Sequence, residues 1–489
     1  MSNSFIEVMQ NAYSADQAIV LGAAMLEGEV VVDAPVSVPL KMMNRHGLIA
    51  GATGTGKTKT LQVLAEQLSE NGVPVLLMDL KGDLSGLAAA SPGHQKITER
   101  HQAIGFAHVP QAYPVELFSL TGEEGTQLRA TTTEFGPVLL SRILDLTPTQ
   151  SGILAMVFQY CDEKEMPLVD LKDLKQVLNY ATGDGKAEFS EQYGRVSTSS
   201  TGAILRKIIS LEQQGADAFF GEPSLDIDDL MQQRDGRGVI NIVRLTDIQD
   251  KPALFSTFML SLLAEIYETM PEQGDADQPE LVIFIDEAHL VFKQASKALL
   301  DQIESMVKLI RSKGIGLYFV TQNPSDIPDA VLSQLGLKIQ HALRAFTAKD
   351  RKAIRLSAQN YPESEFYDTE QLLTTLGIGE ALVTALDRKG RPTALAATML
   401  RAPNSRMDVL TETEKNKVMA SALNDKYATA VDRQSAYEIL KAKIQKAKQQ
   451  EPEKKSTRKT SSRQNPIVKV LTSATFIRGM FSVLKKVMR

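Results

Sequence analysis

Two spacings of apolar residues alternate along the chain. Short continuous apolar runs recur at 47–50, 73–80, 115–120, 238–245, 281–285, 314–322 and 336–343. They are too short for ordinary helices and do not alternate with polar residues, so they predict strands covered on both faces. Between them the spacing becomes helical, at 61–68, 251–270 and 296–313. Strand, helix and strand in succession predict right-handed βαβ units and a mostly parallel sheet, an α/β fold. A purely helical block interrupts this order from about 127 to 233, with Leu139, Ile143, Leu144 and Leu146 at helical spacing and further helices at 149–160 and 168–178. Short strands at 18–23 and 29–32 precede the first βαβ unit. A hairpin is expected over 377–400, EALVTAL and TALAATML around the turn DRKGRP.

These patterns divide the chain into a short entry module (1–44), the first half of a core (45–126), a helical insertion (127–235), the second half of the core (236–404), a charged helical segment (405–450) and a basic tail (451–489). Within the tail, 451–466 is rich in Lys, Ser, Arg and Gln and reads as disordered. Residues 467–489 regain apolar positions among lysines and arginines and read as a basic amphipathic helix. Such a helix suits a membrane surface, DNA, a partner protein or the body of its own chain.

The first apolar strand runs into GATGTGKTK, residues 51–59. Gly51, Gly56, Lys57 and Thr58 fit the spacing of a phosphate-binding P-loop. Its glycines let backbone N–H groups close around phosphate oxygens, and the following helix aims its N-terminal dipole at the same anion. Gly51, Ala52, Thr53, Gly54, Thr55, Gly56, Lys57, Thr58 and Lys59 are therefore the candidate nucleotide-binding residues. Lys57 is expected at the β- and γ-phosphates and the Thr58 hydroxyl on Mg²⁺. The run at 281–285 ends in Asp286 and Glu287, the arrangement in which one carboxylate holds Mg²⁺ and the next polarises an attacking water. Asp286 takes the first role and Glu287 the second. Gln322 ends the next strand, where a neutral polar group senses the γ-phosphate or orients water.

Arg311 closes the helix between those strands. It either complements the helix dipole or reaches a neighbouring subunit's transition state as an arginine finger. Arg344 directly follows the run at 336–343. Asp79, Lys81 and Asp83 stand at a strand's carboxyl end, the edge where open α/β sheets bind ligands. Turn and helix-capping chemistry accounts equally well for the two aspartates.

Composition narrows the class. In 489 residues, 43% hydrophobic and 23% charged residues describe an ordinary globular protein. The single cysteine, Cys161, excludes an internal disulfide framework and a cysteine-based zinc site, and suits a reducing, cytoplasmic setting. No apolar run approaches the length of a membrane span, and the N-terminus has no secretory pattern. The formal charge of -5 conceals an asymmetry: fourteen Lys and Arg against two Glu beyond residue 440 leave the rest of the chain strongly acidic. A grip on nucleic acid has to come from a local channel or from the tail.

Taken together, HGLIAGATGTGKT, LMDLKGDLSGL, IFIDEAHLVF, LIRSKGIGLYFVTQNPSDIP and HALRAFTAKD resemble the HerA-like P-loop ATPases of the HerA/FtsK translocase group, in a bacterial branch. The resemblance implies a RecA-like core, a hexameric ring with ATP at subunit interfaces, and double-stranded DNA in the channel. It places the catalytic glutamate on Glu287, the polar sensor on Gln322 and candidate trans arginines on Arg311, Arg45 and Arg344. It also implies a departure from archaeal members, whose larger N-terminal barrel has no room before Gly51, and from the membrane-anchored members. A Mg²⁺-dependent ATP hydrolase that moves DNA is the expectation. Its rival is an ATP-switched assembly protein whose tail recruits a protein or a membrane.

Overall fold

The computed structural model describes residues 2–274, 276–293 and 297–450. One compact unit spans Met1–Leu440 and holds every residue discussed below. The second, Lys441–Arg489, contains the end of helix Ala436–Gln450; the basic stretch 451–466 and the amphipathic helix expected at 467–489 lie outside the described residues.

The strands are β1 (Ala18–Leu26), β2 (Glu29–Pro39), β3 (Gly47–Ala50), β4 (Val75–Asp79), β5 (Val115–Ser119), β6 (Thr126–Gln127), β7 (Gln233–Arg234), β8 (Arg237–Gly238), β9 (Ile240–Arg244), β10 (Leu281–Ile285), β11 (Ile315–Thr321), β12 (Leu337–His341), β13 (Glu380–Thr384) and β14 (Ala396–Leu400). Among the described residues one sheet has twelve strands, in the order β2-β1-β14-β13-β12-β3-β11-β10-β4-β9-β5-β6. From β12 to β6 all neighbours are parallel; β13, β14, β1 and β2 extend the sheet antiparallel. Every residue of β3, β4, β9, β10 and β11 is buried, which is why these runs lack alternation. At the centre Tyr318 stacks 4.9 Å from Phe284 and donates to the Met43 carbonyl. A Cβ on Gly47 would stand 2.4 Å from the Tyr318 ring, so only glycine lets the P-loop strand pass it.

Two sequence expectations change. The strands read at 18–23 and 29–32 are longer, and they join the main sheet through β14 instead of standing alone. Register shifts at Val20/Gly22 and Ala23/Met25 interrupt their alternation, which hid their length. A helix at Ser2–Tyr13 covers them, with Phe5 and Met9 fully buried and the Tyr13 hydroxyl donating to the Val383 carbonyl. The run at 238–245 is a small hairpin strand, β8, followed by β9.

The helical stretch before β9 is built from segments with strong local starts. Capping boxes open Thr132–Ile143, Pro148–Glu163 and Leu171–Thr182. After β14, residues 401–411 run along the P-loop helix Lys57–Glu70. Glu66 there accepts N–H groups of Asn404 and Ser405 at 2.8 Å each, and Gln62 donates to the Arg406 carbonyl.

Candidate nucleotide site

The carboxyl ends of β3, β4, β10, β11 and β12 meet at one edge of the sheet, and the site assembles there. The P-loop is pinned from both neighbouring strands: the Gly51 N–H donates to the Thr321 carbonyl at 3.2 Å and the Ala52 N–H to the Ala342 carbonyl at 2.8 Å. Gly51, Gly54 and Gly56 have φ of 153°, 77° and 117°, in the region that side chains avoid. A Cβ on Gly51 would also stand 2.5 Å from His341 Cβ. The loop turns Thr53 and Gly54 outward and leads into the first turn of the P-loop helix, where Thr58 is half-buried.

The Lys57 ammonium folds back over the loop, donating to the Gly51 carbonyl at 2.7 Å and the Ala52 carbonyl at 3.2 Å. Burial lowers its pKa, and the nearby Lys81 adds to this. Lys59 behaves differently from its neighbours in the motif. Its ammonium turns away to the Met407 carbonyl, 2.5 Å distant.

Asp286 and Glu287 follow β10 and are buried, at 4% and 8% exposure. Burial pushes the Asp286 carboxyl up to about 6, against the pull of Lys81. Glu287 is also pushed up by burial, but its hydrogen bond and charge interaction with Lys81 outweigh that, and its pKa is lowered. The Lys81 Nζ lies 2.5 Å from Glu287 Oε1 and 3.8 Å from Asp286 Oδ2. The other Glu287 oxygen, Oε2, is 3.2 Å from His289 Nδ1 but outside hydrogen-bond geometry, so a buried acceptor is left without a donor. Glu287 has φ of 47°, a left-handed conformation costly for a residue with a side chain. Its carboxylate meets Lys81 in the turn that follows β4.

Asp79 resolves toward the turn reading. Its carboxylate accepts N–H groups of Gly82, Asp83 and Leu84 at 2.7, 3.3 and 3.1 Å, which fixes the turn that delivers Lys81. Gln322 directly follows β11 on the same edge and is exposed. Arg344, also exposed on this edge, reaches the Thr374 carbonyl at 3.5 Å.

Arg45 and Arg311 are elsewhere. They precede β3 and β11, so they sit at the amino ends of the strands, about 13 Å or more from the P-loop along the sheet. Both line a groove of about 460 Å³ that also holds Lys338, Gln359 and Asn360. The structure thus separates the arginine candidates into Arg344, beside the P-loop, and Arg45 with Arg311, on the far edge.

Two side chains join the site without having been marked as site residues. Lys81 was visible only as a strand-end residue; its importance depends on β4 lying beside β10, a pairing between distant segments. His341 closes β12 beneath the loop, 2.9 Å from the Thr60 hydroxyl, and burial lowers its pKa to about 4.

Among the described residues no group of three or more His, Cys, Asp or Glu is arranged to hold a metal. The donors present, the Thr58 hydroxyl and the Asp286 carboxylate, fit Mg²⁺, which takes one or two protein oxygens and completes its shell from phosphate and water.

This arrangement defines a RecA-like P-loop ATPase fold, and solved structures share it. The plasmid coupling protein TrwB in complex with ADP and Mg²⁺ aligns with a TM-score of 0.52 at 16% identity, over 83% of this chain and 94% of that one. VirB4 of Thermoanaerobacter pseudethanolicus aligns with a TM-score of 0.50 at 19% identity, over 82% of this chain and 99% of that one. Residues 25–481 match the family model described as helicase HerA-like C-terminal, and the chain belongs to that family. The DNA double-strand break repair helicase HerA of Saccharolobus solfataricus is 23% identical over 387 residues, 77% of this chain and 68% of that protein. A probable helicase of Methanocaldococcus jannaschii is 35% identical over 154 residues, 29% of this chain and 28% of that protein.

Proposed function

We propose that the chain is a Mg²⁺-dependent ATP hydrolase that assembles as a ring and moves double-stranded DNA. The observation that carries the chemistry is the meeting of Lys57, Lys81 and a strained, buried Glu287 above a glycine-rich anion cradle. Residues 51–59 wrap the triphosphate: the Gly51 and Ala52 N–H groups stay with Thr321 and Ala342 and pin the loop, and the open N–H groups at the start of the P-loop helix face the phosphates. Lys57 leaves its carbonyl partners for the β- and γ-phosphates, where charge develops in transfer. Thr58 and Asp286 hold Mg²⁺, which supplies neutralisation of phosphate charge when bound. Glu287 accepts a hydrogen bond from water through its open oxygen and orients it in line with the γ-phosphorus. The water oxygen bonds to phosphorus, the bond to the β–γ bridging oxygen breaks, ADP leaves with that electron pair, and the proton shed by the water passes by way of the Glu287 carboxylate to the inorganic phosphate. Gln322 faces the same edge as the sensor of the γ-phosphate.

The position of Arg45 and Arg311 supports an oligomer. Neither reaches its own P-loop, so either acts on a phosphate only in a neighbouring subunit's site. The relatives' names as helicases support DNA as the polymer. No helix among the described residues is long and apolar enough to cross a membrane. The reading is tested by the ATPase rate of the full chain with and without linear duplex DNA. Stimulation that falls with salt supports it. A rate indifferent to DNA transfers the function to an ATP-switched protein that acts on a protein or membrane partner.

A further inference from the structure

One apolar side chain stands in the open beside the phosphate loop. Ile378 is 70% exposed. Exposure of a single aliphatic residue carries no meaning by itself. Its mounting does. Ile378 lies between Gly377 and Gly379 in the turn before β13. The Gly379 N–H donates to the Thr55 carbonyl of the P-loop at 2.9 Å, and a Cβ on Gly56 would be 3.2 Å from the Gly379 nitrogen. Ile378 is one Cα step, about 3.8 Å, from that contact.

The turn is also braced from the other side. Arg100, on helix Gln95–Ile104, donates to the Ile378, Gly379 and Leu400 carbonyls at 2.9, 3.0 and 3.1 Å. The Glu380 carboxylate accepts the Gly377 N–H at 2.7 Å. An arginine fork loses side-chain freedom when committed to two carbonyls of one small turn and a third at the end of β14. The result is an apolar surface held still at the rim of an anion cradle.

We propose that Ile378 is the platform on which the base of the bound nucleotide packs, and that the site accepts more than one base. The inference rests on the P-loop binding a nucleoside triphosphate as proposed above. Phosphates held by the cradle leave the rest of the nucleotide at the first turn of the P-loop helix, next to residues 55–56. The flat face of a base matches an aliphatic side chain, and every base has such a face. Discrimination needs polar groups matched to the base edge. The Ile378 and Gly379 carbonyls are already engaged by Arg100, and the Gly377 and Gly379 N–H groups by Glu380 and Thr55, so this turn offers a base area and not a hydrogen-bonding pattern.

The test is isothermal titration of the full chain with Mg·ATP, Mg·GTP and inorganic tripolyphosphate, comparing the natural sequence with Ile378→Ala, Ile378→Leu and Lys57→Ala. Ile378→Ala should weaken both nucleotides by roughly ten- to a hundredfold, leave tripolyphosphate within about twofold, and be rescued by Ile378→Leu. ATP and GTP should bind the natural chain within about tenfold of each other. Lys57→Ala should lose all three ligands. Unchanged nucleotide affinity in Ile378→Ala, with tripolyphosphate still bound, overturns the platform and leaves the phosphate site standing. An equal loss of tripolyphosphate in that variant also overturns it, since the turn would then merely support the loop. A preference for one base above a hundredfold overturns the tolerance. Failure of the natural chain to bind any of the three removes the nucleotide reading beneath it.

Discussion

Lys57 and Glu287 carry the sharpest expectations because each is buried and charged, Glu287 in strained left-handed backbone and Lys57 at the first turn of the P-loop helix. Lys57→Ala should lose nucleotide binding, read as the loss of any titration signal with Mg·ATP. Glu287→Gln keeps shape and burial but removes the charge that orients water. It should bind ATP and lower kcat by about 10²–10⁴; near-normal turnover would mean that another group positions the water. Both residues were legible in the sequence because their chemistry is local: a glycine-rich turn into a helix, and carboxylates ending an apolar run. Lys81 was legible only as a residue at a ligand-binding strand edge, without a role, and His341 not at all. Lys81 matters only because β4 pairs with β10, and His341 only because β12 lies beside β3. Lys59 shows the converse, since membership of a local motif did not determine that its side chain would turn to Met407.

At the scale of elements, the long strands of the parallel half announced themselves because nearly every position in them is buried, Lys338 in β12 being half-buried. The antiparallel edge did so less well. Bulges in β1 break its alternation, and the covering helix Ser2–Tyr13 was not anticipated. The strap 401–411 likewise has no periodicity to read. Its attachment is nevertheless specific: the buried Glu66 carboxylate takes two N–H groups and the Ser405 hydroxyl. Glu66→Ala would leave those donors buried and unpaired. It should cost roughly 2–5 kcal/mol in urea unfolding; a loss below about 0.5 kcal/mol would mean that the strap is dispensable to the fold.

Acid sensitivity belongs to the whole molecule. His46 and His341 are both buried, and burial lowers each to about 4. The unfolded chain takes up these protons near the ordinary value of about 6.5, whereas the native state resists until about 4. The stability they contribute is therefore complete above about 6.5 and declines as pH falls through about 4. A double variant, His46→Gln and His341→Gln, should show a flatter fall of Tm between pH 6.5 and 4.5 than the natural chain. An identical slope would assign the acid loss to other groups.

Assembly is the other property of this scale, and sequence could name its arginines without saying which edge they occupy. With Arg45 and Arg311 on the edge remote from the P-loop, Lys57→Ala subunits mixed with Arg311→Ala subunits should recover activity that neither has alone. Such mixing restores an intact site only if the arginine acts between subunits; absence of recovery, with mixed assembly verified, would contradict that role. The measurement closest to the central claim is the ATPase rate of the full chain with linear duplex DNA across a salt series, against the same series without DNA. A DNA-driven increase that falls steeply with salt, as release of phosphate counterions requires, is the predicted result. A rate that DNA leaves unchanged at every salt concentration would contradict the account.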